Sequence, residues 1–269
     1  MKSVLRVLGV GVITFVLLLV LVVALLFSWP RPSFEMAPAR NFGWTLPTLD
    51  QANYHFQVRA DGQLEIELSH PLLEGVSPQM LHWWYQQLPV GWAQWQQRRY
   101  SYYHLFHPSE HGVIHVLEPA LDGAAGMGEG ALVYRQERFG PYYSKGRGRI
   151  LRFDQRGMLV APEMGSLQFG RIEHHFEAVE GGTRYRVRSL LGSQLPLVGP
   201  LINAYIVHKR FPPEVLEQWL RHQVEEVGTL PHFLPDLYRT AQQLEAGVAT
   251  SPGPANDPGY WQIVDGPAG

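Results

Sequence analysis

Along residues 212–238, PPEVLEQWLRHQVEEVGTLPHFLPDLY, large apolar side chains recur at helical spacing, and Val215, Trp219, His222 and Glu226 fall at i, i+4, i+7 and i+11 on one stripe. Pro212 and Pro213 suit a first helical turn, where a missing N–H costs little, and Gly228 suits the position just past the end. The pattern predicts a helix of about 15 residues. An imidazole and a carboxylate one turn apart then share an inward face with two large apolar side chains. A carboxylate in that place has to be paired or bound to a cation. A His–Glu pair at the rim of a core satisfies HxxxE spacing as well as two metal ligands do.

Upstream the period changes to two. Leu64, Ile66 and Leu68 alternate with polar residues and predict a strand. Ser77 and Pro78 form an N-cap and first position for a helix carrying Met80, Leu81, Trp83 and Trp84. A later strand places Ala131, Val133, Arg135, Glu137 and Phe139 on one face and Leu132, Tyr134, Gln136 and Arg138 on the other. Glu137 therefore either points inward or pairs with a neighbouring arginine. Strands continue at RGRILRF and in a hairpin around Gly181 and Gly182. In that hairpin Ile172, His174, Phe176 and Ala178 share the face that buries, and Glu173, His175 and Glu177 share the other; His174 fits a hydrogen-bonded core histidine. Mostly antiparallel strands followed by a long late helix predict an α+β fold in which a curved sheet grips the helix and encloses a cavity.

Both ends read differently. Residues 7–29 carry no charge and are long enough to span a bilayer, so residues 1–29 are expected to form an uncleaved single-pass transmembrane anchor. Lys2, Arg6 and the amino terminus precede that span and Arg31 and Arg40 follow it, which places the globular part outside the cytoplasm. Residues 30–50, with prolines at 30, 32, 38 and 47, read as a linker, residues 51–245 as the folded domain, and residues 246–269, rich in Pro, Gly and Ala, as a flexible tail.

Composition narrows the chemistry. A chain of 269 residues, 45% apolar and 12% aromatic, supports one large core. A formal charge of −2 without a Lys/Arg run argues against nucleic acid as a partner. The absence of cysteine excludes disulfides, thiolate nucleophiles and Cys-ligated zinc, so any metal is held by His, Asp and Glu. The Gly123–Gly130 run lacks the spacing of a phosphate cradle. In HLFHPSEH, 104–111, Pro108 argues against one continuous helix, so His107 and His111 do not have to share a face. The dense aromatics from Trp92 to Phe106 suit a core or an apolar pocket for an aromatic ligand.

The segments GVSPQMLHWWY (75–85), YHLFHPSEH (103–111), YRQERFG (134–140), HHFEAVEGGTRYRVRSLLG (174–192) and LRHQVEEVGTLPHFLPDLY (220–238), in this order, resemble the 2,4-diacetylphloroglucinol hydrolase family, which includes phloretin hydrolase. The resemblance implies a helix-grip fold of the Bet v 1 or START type and a Zn2+ site of two His and two Glu. On this chain those residues are His111, Glu137, His222 and Glu226, with Glu129 or Glu118 as substitutes for Glu137. It implies that His174 and Tyr103 meet the substrate, with His175 as the fallback for His174. The implied activity is a zinc-dependent hydrolase that cleaves the C–C bond between an acyl group and a phenolic ring, acting on an aromatic ketone or acyl-phenol. Two other classes fit the residues: a membrane-anchored carrier for a hydrophobic or aromatic ligand, and an anchored envelope scaffold.

Overall fold

The computed structural model describes residues 30–165, 167–248 and 261–266, together with Thr14, Leu21, Ala24, Phe27 and Ser28. Thirteen strands are found among them: β1 (Asn53–Val58), β2 (Leu64–Ser69), β3 (Leu73–Glu74), β4 (Trp92–Trp95), β5 (Arg98–Ser101), β6 (His111–Glu118), β7 (Leu132–Phe139), β8 (Tyr142–Asp154), β9 (Gly157–Met164), β10 (Leu167–Gln168), β11 (Gly170–Val179), β12 (Gly182–Leu191) and β13 (Gln262–Val264). The main sheet is antiparallel in the order β1-β2-β12-β11-β9-β8-β7-β6, with β10 added to β9 and β3 to β12. The α-helices in this order are α1 (Pro78–Gln87), α2 (Tyr102–Phe106), α3 (Gly199–Tyr205), α4 (Pro213–Gly228) and α5 (Leu234–Glu245), and a five-residue π turn, Ile206–Arg210, follows α3.

Alternation explains the sheet. Thr183, Tyr185, Val187, Ser189 and Leu191 of β12 are buried, and Arg184, Arg186 and Arg188 between them are exposed. Helix α1 starts where the Ser77 Oγ accepts the Met80 N–H at 3.2 Å and Pro78 needs no N–H partner. The late helix α4 is the gripped element: Val215, Leu216, Trp219, Leu220, His222, Val224, Glu226 and Val227 are all buried, and it packs on β7. An α+β helix-grip arrangement is therefore what the chain forms. Gly228 is the last residue of α4 and lies at a negative φ, so it serves a different purpose from the one its position suggests. A Cβ there would stand 2.2 Å from the Pro47 ring, and the glycine lets the incoming chain lie against the helix.

That incoming chain is more than a spacer. Segment 30–48 forms no helix or strand, yet Phe42 is buried and stacks on Trp44 at 4.5 Å, and Trp44 stacks on Phe233 at 5.5 Å. The tail also returns: β13 pairs with β4, and Trp261 is buried against Trp95 and Phe233. Aromatic residues dock both segments on the core.

The membrane reading is corrected. Among the described residues no helix is long and apolar enough to cross a membrane, and the expected span 7–29 lies, apart from the five residues named above, outside the described residues. The anchor, the single-pass location and the placement outside the cytoplasm are withdrawn accordingly.

Leu220 is fully buried on the face of α4 that the sheet grips. Leu220→Ala should cost about 2–5 kcal/mol by leaving a cavity, read as a lower urea midpoint; a loss below about 1 kcal/mol would show that α4 does not anchor the core.

Candidate metal centre

Strand pairing and helix periodicity bring four side chains together. His111 opens β6 directly opposite Glu137 on β7, and one turn of α4 separates His222 from Glu226 on its inward face. All four are buried. His111 Nε2 lies 3.1 Å from Glu226 Oε2 and 4.0 Å from Glu137 Oε1, and His222 Nε2 lies 3.6 Å from Glu226 Oε2. Ligand atoms of His111, His222 and Glu226 lie within 4.8 Å of one another.

The surrounding hydrogen bonds fix which nitrogen of each imidazole carries its proton. His111 Nδ1 is 2.7 Å from the Tyr103 carbonyl oxygen, an acceptor only, so Nδ1–H donates and Nε2 is left with a lone pair. His222 Nδ1 is 2.8 Å from Glu110 Oε2 and donates in the same way. Glu110 is itself held by Arg221 at 2.6 Å and by the Gly140 N–H at 2.9 Å. Both Nε2 lone pairs therefore face the carboxylates, the tautomer that ligates metals, with the carboxylate and carbonyl partners that orient ligating imidazoles.

The two carboxyls are driven apart. Burial alone would raise the Glu137 carboxyl, but the Arg135 guanidinium at 3.1 Å, the nearby imidazoles and the Tyr103 hydroxyl, which donates at 2.7 Å, hold it down to about 2. Burial, and then the charge of Glu137, push the Glu226 carboxyl well above its ordinary value. Burial lowers His111 to about 4 and holds His222 well below its ordinary value. The metal-free centre thus holds an ionised Glu137, a protonated Glu226 that donates to His111 Nε2, and two neutral imidazoles. Gln223 completes it by donating to Glu226 Oε1 at 2.6 Å. Glu137 Oε2 and His222 Nε2 are buried with no hydrogen-bond partner among the described residues. Two orphaned buried acceptors, beside a proton shared between a third and a fourth, fit a divalent cation.

A second group, His107, Glu110 and His222, also has ligand spacing. There Arg221 already pairs with Glu110 and Glu225, and the His222 Nδ1–H points at Glu110. A resident cation and a proton occupy the places a metal would need, so this group supports the first.

Tyr103 is brought into the centre through Glu137, and its ring stacks on His111 at 3.9 Å. His174 is not hydrogen-bonded to the four. Its Nδ1 shares a 2.7 Å hydrogen bond with the Tyr185 hydroxyl, which lies 2.6 Å from the Tyr85 hydroxyl. Burial raises both tyrosines, with Glu226 adding to the rise, and burial followed by Arg135 lowers His174 to about 3. His174 lies half-buried on the face of β11 that carries the buried Phe176 and is held by Tyr185, whereas the His175 side chain is 45% exposed and pairs with Glu173 at 3.3 Å. Neither substitute for Glu137 is near: Glu118 pairs with Arg149 at 2.9 Å on the surface, and Glu129 is exposed. The choice between an inward Glu137 and an arginine pair resolves as both at once.

Sequence reasoning missed Glu110, Gln223, Tyr85 and Tyr185. Tyr185 was open to detection, because it alternates with Thr183 and Val187 on the inward face of β12. Glu110 was not: it precedes β6, and only the closure of the sheet on α4 shows which way it points.

No family model and no curated protein matches the chain. Among solved structures, that of Ara h 8.0201 is 16% identical, covering 66% of this chain and 99% of its own, at a TM-score of 0.35. A START superfamily protein from Mycobacterium smegmatis is 12% identical, covering 62% and 98%, at a TM-score of 0.38. Neither is named as a hydrolase, and at these scores neither carries an argument; the fold rests on the strand order and the gripped helix.

Glu226 fixes the pH behaviour. Its raised carboxyl keeps its proton in the folded chain while the unfolded chain ionises, so this group lowers metal-free stability as pH rises above about 4.3. Glu137 acts oppositely, contributing stability above that value that is lost as pH falls towards 2. A metal at the centre displaces the Glu226 proton, so zinc affinity should fall with acidity and zinc uptake should release protons into weak buffer. Glu226→Gln, whose amide mimics the protonated acid, should keep metal-free stability at pH 7 at or above the original and lose zinc affinity by more than the about 10–100-fold of an outer-shell change. Unchanged zinc uptake in this variant would remove Glu226 from the ligand set.

Proposed function

We propose that the chain is a zinc-dependent hydrolase that cleaves the C–C bond between an acyl group and a phenolic ring. The observation that carries this reading is the pair of buried, unpartnered atoms Glu137 Oε2 and His222 Nε2 beside His111 and Glu226. Nitrogen and carboxylate donors suit zinc, and the chain has no thiolate to offer. The ordered segments that resemble the diacetylphloroglucinol hydrolase family point to the same reaction class.

His111 Nε2, His222 Nε2, Glu226 and Glu137 Oε2 would hold the ion. Zinc held there would supply Lewis acidity for a carbonyl oxygen and would make water acidic enough to attack near neutral pH. In the overall reaction water adds to the carbonyl carbon, the bond to the ring breaks, and the ring carbon takes a proton, giving a carboxylic acid and a phenol.

The chain's own groups do the rest. Tyr103 holds Glu137 in place and presents its hydroxyl where a phenolic oxygen would lie. The His174 Nδ1 is taken up by the Tyr185 hydroxyl, which leaves Nε2 as the ring nitrogen free to meet a ligand. His174 is neutral at pH 7, so in the shuttle role it first accepts the proton released by the attacking water and then gives it to the ring carbon. Tyr85 fixes Tyr185, and through it the His174 ring. The aromatic core around Trp84, Tyr102 and Phe106 keeps bulk water out.

Elemental analysis of the full chain should give near-equimolar zinc, against none in His222→Ala, and an acyl-phenol screen should show turnover in the first alone. His174→Ala should keep the zinc and lower kcat by about 10²–10⁴-fold. Zinc absent from the well-folded original chain with zinc supplied, but with an aromatic ligand retained, would replace the hydrolase by a carrier.

A further inference from the structure

A pocket of about 420 Å³ opens beside the centre, between the end of β7, the start of β8 and the turn ahead of α4. Its lining includes Arg31, Lys145, Lys209 and Arg210 and no carboxylate. None of these four makes an ion pair among the described residues. Elsewhere most arginines of the described residues pair with Asp or Glu, including Arg149, Arg152, Arg186, Arg188 and Arg221. Four unpaired cations around one hollow, in a chain of net charge −2, are a local excess that the sequence as a whole lacks.

The walls between these charges are aromatic. Phe139, Tyr142, Tyr205 and Phe211 line the pocket, and the Arg31 guanidinium lies 4.8 Å from the centre of the Tyr142 ring. Phe139 also meets the His222 ring edge-to-face at 4.9 Å, so one side chain separates the pocket from the metal centre. Lys209 and Arg210 sit on a wide turn, Ile206–Arg210, closed by a 2.8 Å bond from the Phe211 N–H to the Ile206 carbonyl. Turns of this π form are uncommon and recur at functional sites.

We propose that this pocket binds a small aromatic carboxylate, with the acid group on Arg210, Lys209 and Lys145 and the ring on Phe139 and Tyr142. A planar acid with an aromatic body matches both the guanidinium fork and the ring-lined walls. The volume suits a small organic ligand. Arg210 favours an anion for a further reason: burial, together with the charges of Arg135 and Arg31, works against its own charge, and an incoming carboxylate relieves both. On the hydrolase reading, and only there, the inference extends to substrate class: acyl-phenols bearing an acid group are selected over neutral ones.

The test titrates the full-length chain with 4-hydroxybenzoate and its neutral counterpart 4-hydroxybenzamide, followed by tryptophan fluorescence at low salt, with zinc first removed and then supplied. The acid should bind about ten-fold more tightly than the amide, in zinc-free protein as well, and the preference should shrink with salt. Arg210→Gln should abolish the preference while zinc content stays as in the original chain. If that variant does not fold, the double replacement Lys145→Gln, Lys209→Gln should halve the preference or more. Equal binding of acid and amide, a preference present only with zinc, or inorganic phosphate competing as well as the aromatic acid would each overturn the proposal. If the original chain takes up no zinc when it is supplied and still prefers the acid, the pocket stands and the hydrolase reading falls.

Discussion

Two carboxyls buried within reach of the same imidazole govern this structure. Neither Glu137 nor Glu226 can be ionised cheaply in such a place, and both at once less so, since removing one carboxylate from water costs several kcal/mol without a partner. The chain settles the conflict unequally. Glu137 receives Arg135 and Tyr103 and stays charged; Glu226 receives Gln223 and keeps a proton that it shares with His111. That arrangement is stable without a metal, and it leaves two acceptor atoms unused. A site that served stability alone would have filled them.

The rest of the fold holds this compromise in place. Pairing of β6 with β7 sets His111 against Glu137, and burial of the α4 stripe fixes His222 and Glu226 at the same depth. Behind them, Glu110 joins the turn before β6 to Arg221 and His222 on α4 and to the backbone of Gly140 after β7. One carboxylate thus ties together the three elements that supply all four residues. Packing of Pro47 against Gly228 and the aromatic docking of residues 42–44 then close the far end of α4.

Much of this was legible because it depends on period. The 3.6-residue stripe gave α4 and its inward His222 and Glu226, and the two-residue alternation gave β2, β7, the β11–β12 hairpin and the inward His174. What escaped depends on contacts distant in sequence, or on turn chemistry without its usual residues. The β4–β5 hairpin turns at Gln96 and Gln97, both at positive φ (47° and 64°), where asparagine and glycine are the common residues. The aromatic tether at 42–44 and the returning strand β13 lie in proline-rich stretches whose composition argues for loose chain, and only the partners waiting on the core reverse that. Glu110 escaped for the same reason, since its role exists only once the helix has docked.

The tautomers make the strongest link between this architecture and chemistry. A histidine placed in a core only to fill space needs either nitrogen bonded, and which one is indifferent. Here both His111 and His222 spend Nδ1 on an outer acceptor and turn Nε2 inward, although one acceptor is a backbone carbonyl from α2 and the other a carboxylate from the turn before β6. Two unrelated supports that enforce the same orientation are hard to derive from packing. They follow at once if the inward atoms have a common partner, and the carboxylates beside them give that partner its sign. The basic pocket beyond Phe139 has the reverse character, with cations that pair with no anion among the described residues. A molecule that carries an acid group at one end and a carbonyl at the other would answer both needs, spanning the single aromatic ring that divides them.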